Sequence, residues 1–173
     1  MKNFFSLLLL CCTISTAGFS QSDDSTQSAH RGKARVELSG PRFGISVITG
    51  DDAKDVRDEL DIAPVMLQFG WQYEIQFVSE KEDFTILSEF IPLVGGVEQG
   101  VFLPSLSGLI GYRSNSGFEF GFGPNLSITG AALVIAAGKN LQTSSLNFPL
   151  NFALVFAKGG VRASVLIGVS TIE

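Results

Sequence analysis

The sequence has few of the side chains that catalytic and metal-binding sites use most. Its 173 residues include only 1 histidine and 2 cysteines, and the cysteines, Cys11 and Cys12, both lie near the amino terminus. A chain without that segment could form neither a disulfide nor a cysteine metal site. Charge is also sparse, because 17% of the residues are charged and the net charge is -5. Since no basic surface could displace counterions from phosphates, we expect no nucleic-acid partner.

The charged side chains are concentrated in the first part of the chain. Residues 21–63 carry 15 of them, whereas the much longer stretch 64–173 carries 13. Hydrophobic residues make up 45% of the sequence, which excludes a disordered chain. The length is sufficient for one domain and hardly for two.

Residues 1–20 have the three-part layout of a secretory signal peptide. Lys2 precedes an apolar run over residues 4–12, and small residues follow that run. The run is too short to cross a membrane as a helix. Cleavage is expected after Ser20, with cleavage after Ala17 as the alternative, and either one removes both cysteines.

Residues 21–41 are polar, lack periodicity and contain His30. We interpret this segment as a solvated tail or linker, followed by a single domain over residues 42–173. A histidine without a nearby histidine or cysteine is a poor metal site, so we expect His30 to be inert.

From residue 42 onward, apolar residues recur at every second position, which is the pattern of a β-strand with two unlike faces. The alternation is strongest in three runs, 65–77, 117–129 and 145–157. Weaker alternation, or position between turns, marks five further runs, 42–49, 84–94, 101–113, 131–139 and 161–172. Turn-forming residues separate the runs, and only 50–63 is a long connection. The sequence therefore predicts eight strands.

The two strand faces distinguish a soluble barrel from a membrane barrel. A soluble barrel would present a charged exterior, but the polar face here consists mainly of Gln, Asn, Ser, Thr and Gly. All eleven Phe after residue 63 fall on the apolar face, more than a soluble eight-stranded lumen could easily hold. We therefore predict an all-β, eight-stranded antiparallel up-and-down transmembrane barrel with a polar, side-chain-filled lumen.

Over residues 42–173 this pattern resembles the small eight-stranded outer-membrane barrels of Gram-negative bacteria, the OmpA/OmpX type. The resemblance rests on strand number, alternation and the signal peptide, and it includes no functional motif. It implies an outer-membrane location after cleavage. The chain departs from the pattern at Glu173, where many relatives end on an aromatic residue that assists insertion.

Prolines within strands are a second departure, because a closed barrel has no edge at which a missing N–H is harmless. Pro92 and Pro104 lie symmetrically about Glu98, and we expect them to face each other. Pro124 and Pro149 are expected to mark bulges.

Charged residues on the polar face are candidates for an ion-pair network in the lumen, because charges in a low-dielectric interior are normally paired. This set contains Arg42, Glu74, Glu89, Arg113, Glu119 and Arg162. Arg113 and Glu119 are expected to face each other across the turn at 114–116. The barrel sequence has no histidine to act as a base, so we expect no enzyme, no catalytic residue and no cofactor.

Residues 51–61 form an acidic segment in which Ala53, Val56 and Leu60 share one helical face, which favours a short surface helix. Its acids are candidates for binding a partner or a cation, namely Asp51, Asp52, Asp55, Asp58, Glu59 and Asp61. The segment lacks the glycine and ligand order of an EF-hand, and we predict no metal site.

Small residues and prolines on the outward face are candidates for contact with another protein, since small residues allow a second wall to approach closely. They are Ser88, Pro92, Pro104 and Gly108. The equal alternative is that these positions simply face lipid.

The sequence therefore favours a non-enzymatic integral outer-membrane barrel that serves as a structural or accessory subunit of an envelope complex. Its expected partners are outer-membrane lipid and another envelope protein. One alternative is a soluble secreted or periplasmic barrel that binds a hydrophobic ligand. The other is a narrow passive pore, which is disfavoured because side chains roughly fill an eight-stranded lumen.

Overall fold

The computed structural model describes residues 38–78, 84–143 and 146–171. The predicted signal peptide, His30 and the first part of the predicted tail lie outside the described residues. Within the described part of the chain, no helix is long and apolar enough to cross a membrane.

Eight antiparallel strands pair in chain order and close into a barrel through contact between the last strand and the first. The strands are β1 Gly40–Ile48, β2 Val65–Val78, β3 Phe84–Gly95, β4 Leu103–Ser114, β5 Phe118–Ser127, β6 Gly130–Gln142, β7 Leu146–Phe156 and β8 Val161–Gly168. Ser170–Thr171 continues β8 in the same register against β7. The predicted all-β class and eight strands are confirmed, with bounds that differ by a few residues.

Two helices lie in the connections that the structure describes. Helix α1, Asp51–Leu60, joins β1 to β2, and a one-turn 3-10 helix, Val97–Gln99, joins β3 to β4. We call the end of the barrel that carries α1 the helix end, and the end at which β1 begins the terminal end.

The strands are strongly tilted relative to the barrel axis. Following the pairing register around all eight strands returns to β1 displaced by ten residues. For eight strands, such a shear requires a tilt of about 40°.

Successive side chains alternate between the inside and the outside of this barrel. In β2, Trp71 and Tyr73 are 44% and 54% exposed, whereas Gln72 between them is 1% exposed. Every strand contributes large exposed apolar side chains, among them Phe43, Ile75, Phe90, Ile110, Phe122, Leu133, Phe152 and Ile167. The outer surface is therefore apolar around the whole circumference.

The buried side chains form distinct clusters. An apolar cluster extends from the middle of the barrel toward the helix end and consists of Ile91, Leu93, Leu109, Val134, Val155 and Leu166. At the helix end, Val56 of α1 packs with Ile62 and Met66, which fixes the helix against the barrel. Most buried charged side chains lie between the apolar cluster and the terminal end.

The expectation of bulges at Pro124 and Pro149 is wrong. The pairing register is the same on both sides of each proline, so no residue is inserted. Instead, pairing between β4 and β5 is interrupted opposite Pro124, and pairing between β7 and β8 is interrupted opposite Pro149. Because proline has no N–H to donate, it removes a hydrogen bond without a shift in register.

Pro92 and Pro104 do not face each other. Pro92 pairs with Leu106, and Pro104 pairs with Val94. The β3–β4 hairpin is symmetric about Gln99 rather than Glu98. The expected pairing is therefore wrong, and the two prolines lie diagonally across from each other instead of directly opposite.

Candidate functional site

A buried ion-pair triad joins three strands in the terminal half of the barrel. Arg113 on β4 donates from Nε to Oε1 of Glu119 on β5 over 2.6 Å. Its two other nitrogens bind both carboxylate oxygens of Glu74 on β2. The register places Arg113 directly opposite Glu119, whereas Glu74 reaches Arg113 past the intervening strand β3. This forked contact is the strong, oriented form of a guanidinium–carboxylate pair.

Arg42 forms a separate network that contains no ion pair among the described residues. Its Nε donates to Oε1 of Gln72 over 2.9 Å, and Nε2 of Gln72 donates to the Glu89 carboxylate over 2.6 Å. The other Arg42 nitrogens donate to backbone carbonyls of residues 38, 40 and 41, which ties the start of β1 to the interior. Sequence reasoning missed Gln72, although its place on the same face as Glu74 is a signal that could have identified it.

Among the described residues, the terminal half contains more buried carboxylates than guanidinium groups. Glu74, Glu89 and Glu119 face two cations, Arg42 and Arg113. Within the described ranges, no guanidinium lies within 4 Å of Glu89, so only hydrogen bonding compensates this carboxylate directly. The arrangement holds strands together, because Glu74 and Glu119 both bind Arg113 and Glu89 binds Gln72.

Arg162 lies apart from both networks, near the helix end of β8. One terminal nitrogen donates to Oδ1 of Asn125 over 3.2 Å. Its Nε is buried and has no hydrogen-bond partner among the residues that the structure describes. The sequence placed Arg162 on the correct face, but the structure separates it from the other charged candidates of the lumen, and the charged group that acts on it is Asp52 of α1.

A cavity of about 280 Å³ opens beside Arg162, between α1 and the β5–β6 turn. Met66 and Val155 belong to its apolar wall. Three acidic residues of α1 also line it, namely Asp52, Asp55 and Glu59. The cavity therefore combines a half-buried cation, an apolar wall and acidic groups contributed by the helix.

The remaining acidic candidates lie on or beside α1 without converging. Asp51 forms an exposed ion pair with Lys54 over 2.8 Å. Asp58 is exposed, and Asp61 caps the helix in a left-handed conformation with φ 54°. No group of three or more His, Cys, Asp or Glu side chains in the described ranges is placed to hold a metal ion.

The partner-wall candidates lie on the neighbouring strands β3 and β4. Phe90 pairs with Gly108, which places the outward positions Ser88 and Gly108 near each other. A Cβ at Gly108 would meet no atom within 4 Å, so the surface is open there. Pro92 and Pro104 lie nearer the helix end of the same two strands.

The β3–β4 connection is fastened to the start of β2. The Gln99 side chain accepts from Ala63 N–H over 2.6 Å, and Glu98 accepts from Leu67 N–H over 2.8 Å. Slight desolvation raises the pKa of Glu98, but hydrogen bonds from Leu67 N–H, from its own backbone and from Gln99 outweigh it. The pKa of Glu98 therefore lies below its usual value, and the ionised carboxylate holds the connection in place.

Comparisons of the chain with models of protein families, with curated proteins and with solved structures found no match.

Proposed function

We propose that this chain is a non-enzymatic integral barrel of the bacterial outer membrane that serves as a structural or accessory subunit of an envelope complex. The observation that carries this proposal is the belt of exposed large apolar side chains on all eight strands. Soluble monomers rarely expose contiguous apolar patches larger than a few hundred Å². Lipid is the solvent in which such a surface is stable.

The dimensions of the strands support this proposal. An 11-residue strand such as β7 rises about 3.3 Å per residue, and a tilt of about 40° gives it a height of about 27 Å. Outer-membrane barrels have an apolar band of about 25 Å. The closed pairing also leaves no open sheet edge to lipid, which a membrane barrel requires.

The interior supports a role without turnover or conduction. The charged side chains in the terminal half bind one another or neighbouring polar groups, and the sequence has no histidine after His30. The apolar cluster around Leu109 and Val134 packs across the middle of the lumen, where a conducting path for ions would need polar lining. We therefore expect no channel conductance from the protein in planar bilayers.

Cell fractionation tests the proposed location. The mature protein is expected in the outer-membrane fraction, soluble only after detergent extraction, with an amino terminus at or near Gln21. A matched chain without residues 1–20 is expected to remain in the cytoplasm, because it has no export signal. Recovery of the full-length product from the soluble periplasm without detergent would instead favour a soluble ligand-binding barrel.

The subunit part of the proposal concerns the outward positions Ser88 and Gly108. In mild detergent, the wild-type protein is expected to migrate with another envelope protein, and Gly108→Trp is expected to release it as a monomer. The free energy of unfolding should change little, because a side chain at Gly108 enters open space. Phe122→Trp on β5 is the matched control, since it enlarges another outward residue without closing this opening. If the wild-type protein is monomeric at native expression, the proposal of a protein partner is contradicted, and only lipid covers the outward face at Ser88 and Gly108.

A further inference from the structure

The inner part of the helix-end cavity presents a cation that lacks a full set of partners. The guanidinium of Arg162 is permanently charged, yet its hydrogen bond in the structure is to the neutral amide of Asn125. Its Nε–H is buried and unpartnered within the described part of the chain. Because Nε is enclosed by protein, a ligand with an anionic oxygen would bind the terminal nitrogens of the guanidinium, which lines the cavity.

The helix that borders the cavity has the opposite requirement. Asp52, Asp55 and Glu59 recur every three or four residues and therefore lie on one face of α1. The described residues contain no ion pair within 4 Å to any of these three carboxylates, and only Asp52 attracts Arg162 from a greater distance. They would attract a cationic group and repel a simple anion on its way to Arg162.

The remaining wall is largely apolar and the space is small. Ile48, Met66, Leu103 and Val155 contribute apolar side chains to it. The cavity volume of about 280 Å³ lies just below the range of about 300–1,000 Å³ that is usual for ligand sites. It suits a compact molecule with an apolar body.

We infer that this cavity binds a small zwitterion with an apolar body, such as a dipeptide of apolar residues. The ligand carboxylate binds Arg162, the ligand ammonium group faces the acids of α1, and its side chains contact Met66 and Val155. A site of this kind goes beyond the proposed function, because the cavity is present whether or not the barrel spans a membrane.

Calorimetric titration of the folded full chain in detergent micelles tests the inference with three probes. Leucyl-leucine is expected to bind saturably, whereas N-acetyl-leucyl-leucine and leucyl-leucine amide each lack one charge and should bind about tenfold more weakly. Arg162→Met should weaken leucyl-leucine about tenfold and leave the weak binding of the amide unchanged, because the amide has no carboxylate to lose.

The acids of α1 provide a test that does not change Arg162 itself. The double variant Asp55→Asn/Glu59→Gln should bind leucyl-leucine about fivefold more weakly and N-acetyl-leucyl-leucine as before or more tightly. Asp58→Asn/Asp61→Asn removes the same charge from residues that do not line the cavity and should have a smaller effect.

Several results would overturn the inference. Absence of saturable binding of leucyl-leucine up to about 10 mM, or unchanged affinity in Arg162→Met, would remove the site. If N-acetyl-leucyl-leucine binds as tightly as leucyl-leucine, the cavity is an anion site. If leucyl-leucine amide binds as tightly as leucyl-leucine, the cavity is a cation site. If Arg162→Met does not fold, the N-acetyl and amide probes and the two double variants of α1 still test the inference. None of these measurements depends on where the protein is located.

Discussion

Replacing Arg113 with alanine is expected to lower the free energy of unfolding by about 3–5 kcal/mol. The substitution removes the cation that binds both Glu74 and Glu119, so two buried carboxylates lose their charge partner. The expected loss is large because each carboxylate stays out of water after the partner is gone. Urea unfolding of the barrel refolded in lipid vesicles, followed by tryptophan fluorescence, measures the change.

Two further variants separate the loss of charge pairing from a general loss of packing. The triple variant Arg113→Met/Glu74→Gln/Glu119→Gln removes all three charges and should recover most of the stability, since replacing a whole buried ionic group is often nearly neutral. Lys54→Ala breaks the exposed pair with Asp51 and should cost at most about 1 kcal/mol. An unchanged unfolding midpoint in Arg113→Ala would show that the interior register is wrong.

Substituting Phe122 with arginine is expected to cost about 2–4 kcal/mol in a bilayer, because this outward residue lies near the middle of β5. The same change at Ile128, in the turn that follows β5, should cost about 0–1 kcal/mol, since the charge then lies near water. The difference between the two positions rests on the proposed membrane location and is measured by unfolding in vesicles.

A soluble barrel would respond differently to the same pair of substitutions. Phe122 is 53% exposed, and a surface substitution in water usually changes stability by no more than about 0.5 kcal/mol. Equal and small effects at Phe122 and Ile128 would therefore contradict the membrane proposal.

The sequence predicted the strands well because each strand places alternate residues in different surroundings. Even β6, which is small and apolar on both faces, was located between its turns, although it extends over Gly130–Gln142 rather than 131–139. Periodicity gives the face of a residue but not its height along the barrel. Arg162 was therefore grouped with Arg113, although the two residues lie toward opposite ends of the barrel.

The partners of each charge were harder to predict. Arg113 and Glu119 flank one tight turn, so local pairing was enough to bring them together. Glu74 lies two strands away from Arg113, and their contact depends on the curvature of the barrel. The helix-end cavity depends on how α1 packs against Met66, which no pattern within a single segment reveals.

The seam between β1 and β8 has a consequence for the order in which the barrel assembles. Every other pairing joins strands that are neighbours in sequence, whereas Ser46 and Ser164, which meet across the seam, are 118 residues apart. Loop closure over that distance is entropically expensive and slow. Until β8 pairs with β1, the edge of β1 stays open and could join a strand of another copy of the chain. Closure of this seam is therefore expected to come late in assembly, and the open sheet has to be kept apart from its copies until then.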